Sequence, residues 1–175
     1  MRSVGEVQVH GFAGMDEAAF RRLYEQHLPA LLRYAYYRTG NRVDAEDVVA
    51  QVFLKAWEYL PRYQERGIPF VHWLYRIAGN TITSGYRRRE QPGGLSLENN
   101  PASPQLELEF TPERLDLRRQ LAGLPETQQQ VLVLRYVQDL SLIEVARIMD
   151  RSPNAIKQLA FRALQNMRER MGSDA

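Results

Sequence analysis

Residues 141–170 read SLIEVARIMDRSPNAIKQLAFRALQNMRER, two short helical patterns separated by a few residues. Ser141 stands three residues ahead of Glu144 and before Leu142, Ile143, Val145, Ala146 and Ile148, the form of a capping box opening an amphipathic helix. Ser152 and Pro153 open a second helix. Between them MDRS (149–152) has room only for a tight turn, and Asp150 tolerates left-handed backbone there. In the second helix Ile156, Ala160, Ala163, Met167 and Met171 recur at steps of three and four and share a face that should be buried. Asn154, Gln158, Phe161 and Gln165 share another face, flanked by Lys157 and Arg162.

An outward phenylalanine among such residues can be trivial, because single exposed apolar side chains are common. Two short helices joined by a tight turn, the second capped and basic, also form a helix-turn-helix, and that gives Phe161 a purpose. A recognition helix needs an apolar back, here Ile156, Ala160, Ala163 and Leu164, and an outward row that reaches base edges. Asn154, Lys157, Gln158, Phe161 and Arg162 form that row. Asn and Gln pair with adenine, Lys and Arg with guanine or phosphate, and an aromatic ring can rest on a thymine methyl. Arg168 and Arg170 lie too far along for base reading and suit phosphate contact or plain solvation.

Upstream, Thr111–Pro112 opens one short helix and Pro125 starts another that runs through QQQVLVLRYV. QPGGLSLENNPASPQ (91–105) has turn-forming composition and no periodicity, and reads as a linker. Three helical patterns precede it. The first starts near the cap Asp16 and runs through Leu23, Leu28, Leu31 and Ala35 to TGN at 39–41, with Pro29 expected to interrupt or bend it. The second, residues 44–60, carries Val49, Phe53, Trp57 and Leu60 on one stripe. The third follows Gly67, has Pro69 in its first turn, and places Phe70, Trp73, Leu74, Ile77 and Ile82 inward. No segment alternates like a strand for long, so an all-α fold is expected, with two small helical domains joined by a flexible linker.

The bulk numbers exclude several classes. A hydrophobic fraction of 44% with 25% charged residues is globular composition. No run approaches the ~18–20 apolar residues that span a bilayer, and the N-terminal stretch lacks a signal-peptide core. Without cysteine there is neither a disulfide framework nor a thiolate metal site, and a cytoplasmic location is the default. His10, His27 and His72 are scattered, and no nucleophile, base and orienting group fall together, so an enzyme is not expected. The net charge of +2 decides little, but its distribution is informative. Residues 71–90 hold four arginines against one glutamate and 151–171 five cations against one glutamate, while 91–126 hold six acids against three arginines. Two basic segments separated by an acidic connector suggest two contacts with a polyanion.

Three blocks, DAEDVVAQVFLKAW (44–57), IPFVHWLYRIAGNTITSGYRRR (68–89) and LPETQQQVLVLRYVQDLSLIEVARIMDRSPNAIKQLAFRAL (124–164), resemble in that order the two helical domains of bacterial sigma factors, and most nearly the compact extracytoplasmic-function (ECF) group. The resemblance implies a disordered tail at 1–15, a region-2-like domain at 16–90, a linker at 91–110, and a region-4-like helix-turn-helix domain at 111–172. It implies a factor without catalysis or cofactor that binds core RNA polymerase and directs it to promoter DNA. The first domain would read the −10 element as a single strand and the second the −35 element as duplex. Many members are held by an anti-sigma protein, which the resemblance allows as a further partner and no residue here displays. A small-molecule substrate and membrane insertion are not implied.

By the same resemblance Asp47, Gln51, Leu54, Lys55 and Glu58 form the polymerase-docking ridge, although a solvated helix face would look alike. The family's usual Gln-acid pair falls here on Ala50-Gln51, which removes one acidic contact. Tyr63, Arg66 and Phe70 would stack a base turned out of the −10 strand, Asn80 would lie beside that strand, and Arg87, Arg88 and Arg89 would hold its phosphates. Trp73 fits core packing and DNA contact equally well. Ser84 and Gly85 replace the family's usual Asp and His, and the glycine should loosen that helix end by up to about 1 kcal/mol. Lys157, Gln158, Phe161 and Arg162 fall on the −35 readers. Gln158 and Leu159 replace a small residue and an arginine, so a different −35 preference is expected. The competing reading is a stand-alone helix-turn-helix regulator that binds duplex as a dimer, which leaves the first two blocks unexplained.

Overall fold

In the computed structural model, residues 15–63, 68–89 and 111–173 are described, the side chains of 86–89 excepted. Among them are seven α-helices and no strand. Helix α1 (Glu17–Thr39) starts where the Asp16 carboxylate accepts the Ala19 N–H at 2.8 Å. It ends at Gly40, whose φ of 89° allows its N–H to close on the Tyr36 carbonyl. Pro29 does not interrupt it: the proline faces solvent, and the ring costs one backbone bond within an otherwise continuous helix. Helix α2 (Arg42–Tyr59) begins two residues earlier than expected because Asn41 is its cap, accepting from the Asp44 N–H. A single 3₁₀ turn (Leu60–Arg62) follows. Helix α3 (Phe70–Arg89) opens on the Pro69 carbonyl, which accepts from His72 and Trp73.

Helices α4 (Pro112–Ala122) and α5 (Glu126–Leu132) follow, and α5 runs on into one π turn (Val133–Val137). There the Gln138 N–H reaches back five residues to the Val133 carbonyl at 2.9 Å. Helix α6 (Leu142–Met149) has the expected capping box, with both reciprocal bonds between Ser141 and Glu144 present. Asp150 takes the left-handed conformation, φ 52°, and Ser152 caps α7 (Pro153–Ser173) through the Ala155 N–H.

The buried stripes are mostly those of the sequence pattern. Val49, Phe53 and Leu60 are inside, as are Ile156, Ala160 and Ala163. Two expected core residues are not: Trp57 is 43% exposed, covered on one side by Phe20 at 4.8 Å, and Met171 is exposed where α7 outruns its neighbours. Phe70, Trp73 and Ile77 are only partly buried. In exchange, α3 buries a second face that includes Tyr75 and Ala78. The reason is tertiary. The helix groups on either side of residues 90–110 share one core, α3 packing on α6, and α1 on α4 and the π turn.

Candidate nucleic-acid interface

Two surfaces carry the residue types that nucleic acid requires. The first is a cleft of about 700 Å³ between the C-terminal end of α2 and the outer side of α3. Tyr59, Tyr63 and Trp73 line it with aromatic rings, Tyr63 lying 4.7 Å from Trp73, and Phe70, outside the lining, packs 5.4 Å from Trp73 and 5.7 Å, edge-on, from Tyr63. The Tyr63 hydroxyl donates to the Ile68 carbonyl, which fixes the ring. Lys55, Arg62 and Arg76 supply positive charge around it against the single carboxylate of Glu58, and Asn80 stands exposed at the lip. An aromatic floor under a cationic rim suits a base stacked out of a single strand.

Of the residues expected here, Tyr63 and Asn80 line the cleft, Trp73 serves both the core and the cleft, and Phe70 packs against Tyr63 and Trp73 without lining it. Arg66 lies outside the described residues, as do the side chains of Arg87, Arg88 and Arg89, whose backbone is helical. Tyr59, Arg62, Arg76 and Ile77 also line the cleft and were not anticipated. The signal existed: Lys55, Tyr59 and Arg62 on one helical run, and Trp73, Arg76, Ile77 and Asn80 on the other, recur at three- and four-residue steps.

The second surface is the outward face of α7. Asn154, Lys157, Gln158, Phe161 and Arg162 are all exposed, Phe161 by 62%. They border a groove of about 460 Å³ whose far wall is Arg135, Tyr136 and Leu142. Tyr136 is exposed, with the Arg135 guanidinium 5.7 Å from its ring centroid. No sequence signal marked this pair, because the π turn that turns them toward α7 breaks the 3.6-residue register.

The α2 ridge is more divided. Gln51 donates to Asp47 at 2.7 Å, Leu54 is 60% exposed and Glu58 is exposed. Lys55 instead turns to the Thr81 hydroxyl on α3, and both Lys55 and Glu58 line the cleft. Among the described residues no group of His, Asp and Glu is placed to hold a metal ion, and no helix is long and apolar enough to cross a membrane.

Residues 23–91 match sigma-70 region 2, and residues 114–167 match sigma-70, region 4. The ECF RNA polymerase sigma factor BldN of Streptomyces coelicolor is 34% identical over 166 residues, which cover 90% of this chain and 62% of that protein. The chain therefore spans somewhat under two thirds of the length of that relative. RNA polymerase sigma factor YlaC of Bacillus subtilis is 30% identical over 157 residues, 85% of this chain and 90% of YlaC. Among solved structures, CnrH in complex with the cytosolic domain of CnrY superimposes with a TM-score of 0.70 at 25% identity, covering 94% of each chain.

Proposed function

This chain belongs to the RNA polymerase sigma factors, in their ECF group, and we propose that it binds core RNA polymerase and directs it to promoters through two DNA contacts. In this reading the aromatic cleft takes an unstacked base of the single-stranded −10 element. Tyr63 and Phe70 offer stacking surfaces, Asn80 offers polar contact, and Arg66, Arg87, Arg88 and Arg89 hold phosphate. Helix α7 enters the major groove of the −35 duplex, with Asn154, Lys157, Gln158, Phe161 and Arg162 facing the bases. Asp47, Gln51, Leu54 and Glu58 dock on polymerase, and Lys55 supports the cleft wall.

One observation supports this reading above the rest: a single chain carries, in order, a cleft suited to a single strand and a helix suited to duplex. A regulator that bound duplex alone would have no use for the first. Sigma factors are not themselves enzymes, and the site calls for no cofactor. The work is done in the cytoplasm, where polymerase is, and an anti-sigma protein is a further partner on this reading, as the similar CnrH is bound by the cytosolic domain of CnrY. The test is to add the purified chain to core polymerase and map transcript start sites. Starts should cluster downstream of one shared pair of elements. Failure to co-migrate with polymerase, with tight binding to duplex operators unaided, would overturn the reading.

A further inference from the structure

The polar groups of the single-strand cleft divide into two sets. Half-buried Lys55, Tyr63 and Arg76 are committed to the fold. Lys55 donates to the Thr81 hydroxyl at 3.0 Å, Tyr63 to the Ile68 carbonyl at 3.1 Å, and Arg76 to the Arg147 carbonyl. Glu58, Tyr59, Arg62 and Asn80 line the same cleft, stand exposed, and make no side-chain hydrogen bond or ion pair among the described residues. Glu58 and Arg62 are four residues apart, the spacing at which a helix pairs opposite charges, yet the two do not pair. The committed set holds the walls, and the free set faces whatever enters.

Within the free set Glu58 stands against the electrostatics. A carboxylate in a site for a polyanion repels phosphate and lowers affinity for every sequence alike. Its place in the cleft therefore makes sense toward a base, not toward the backbone. The rings of Tyr59, Tyr63 and Trp73 can stack on any base and cannot choose among them. Selection falls to the free polar groups. A carboxylate accepts hydrogen bonds and donates none. Adenine, cytosine and guanine each offer an exocyclic amino group as donor, whereas thymine presents a carbonyl oxygen where adenine has its amine. Acceptor facing acceptor is repulsive, and a site built for a donor rejects a base that lacks one.

We infer that Glu58 is a specificity-determining residue of the cleft: its carboxylate accepts from the amino group of the captured base and turns thymine away. This rests on the sigma-factor reading and names the bases that the cleft takes. Asn80, with an amide that both donates and accepts, pairs with the rest of the base edge, and Arg62 holds the adjoining phosphate. Glu58 stands four residues from Leu54 on the docking ridge, but also three from Lys55 and four from Arg62, both on the cleft. At this end of α2 the ridge and the cleft wall meet.

The test uses holoenzyme assembled from the full chain and core polymerase, offered random single-stranded DNA roughly ten nucleotides long, with the retained strands sequenced. Native holoenzyme should deplete thymine roughly tenfold at one position of the aligned strands. With Glu58→Gln, whose amide donates as well as accepts, that depletion should vanish. Single strands should also bind more tightly overall, because a repelling charge is gone. Arg62→Ala should weaken all strands alike, flatten the salt dependence and leave thymine depleted. Each preference is a ratio within one holoenzyme, so weakened docking on polymerase cannot imitate its loss. Thymine depleted equally with native chain and Glu58→Gln, or depleted nowhere with native chain, overturns the role of Glu58 and leaves the sigma-factor reading in place. If holoenzyme retains strands no better than core polymerase alone, the sigma-factor reading of the cleft fails and takes the role of Glu58 with it.

Discussion

Phe161 carries the most specific expectation of any single residue. An exposed ring on a well-capped helix contributes nothing to the core, so Phe161→Ala should alter stability by no more than about 0.5 kcal/mol. Its effect should appear on the −35 duplex as lost preference for thymine at one position. Lys157→Ala or Arg162→Ala should cost about 1–3 kcal/mol for each bidentate base contact removed. Fluorescence anisotropy with substituted duplexes, paired with urea melts of the same proteins, separates the two effects. A Phe161→Ala protein that melts early and reads DNA normally would make the ring structural. His72 is the opposite case, buried at 4% exposure between α3 and α6. Burial lowers its pKa below 6.5, the Glu144 carboxylate 3.5 Å away pulls it back up, and Arg147 again lowers it. The net depression means that the folded chain binds fewer protons than the unfolded one once pH drops below 6.5. The stability His72 contributes is therefore complete above 6.5 and disappears as pH falls through its depressed value. His27, lowered by its own burial, adds in the same sense. Glu144, held down chiefly by its Ser141 hydrogen bond, titrates in a lower window. Urea midpoints should fall from pH 7.5 to 5.5, with a shallower slope in His72→Leu. Equal slopes would remove His72 from the account.

At the scale of the element, the turn between α6 and α7 depends on one residue. Asp150 sits at φ 52°, a conformation that costs most L-residues roughly 1–2 kcal/mol, aspartate less because its short side chain bonds locally, and glycine almost nothing. Asp150→Val should destabilise the chain by about that amount, while Asp150→Gly should match or slightly exceed the native protein in chemical denaturation. Comparable losses in both would mean that the aspartate side chain, not the backbone, matters. This turn was legible in the sequence, as were the caps at Asp16, Ser141 and Ser152, because each is a local arrangement whose donor and acceptor lie within a few residues. The outward row of α7 was legible for the same reason. The π turn was not: one shifted backbone bond leaves no periodic mark, so Tyr136 and Gln138 went unread. Trp57 followed its stripe, yet it lies at the edge of the bundle, where only Phe20 covers it. Tyr75 and Gly79 could not be assigned a buried face, because what buries them is α5 and its neighbours, more than forty residues away in sequence.

At the scale of the whole molecule, the shared core changes how stability should be distributed. Two separate units of 60–75 residues would each bury only about 60% of their unfolded surface, close to the lower limit for independent folding. Joined through α1, α3, α5 and α6 they approach the ~70% burial of a 150-residue body, so each group stabilises the other. The free chain should then unfold in one calorimetric transition whose enthalpy agrees with its van't Hoff value. Glu126 accepts from Arg38 and Thr83 across the seam between the groups, and Gln138 bonds to Ala30, Arg33 and Tyr75. Glu126→Ala with Gln138→Ala removes these bonds and leaves the apolar stripe within each group intact, so the same scan should broaden or divide into two. Two resolved transitions in the unmodified chain would mean that the seam contributes almost nothing and that the groups are already independent. A single transition at lower temperature in the variant would mean that apolar contact alone couples them. Only division of the peak fits polar pins that hold two marginal halves together.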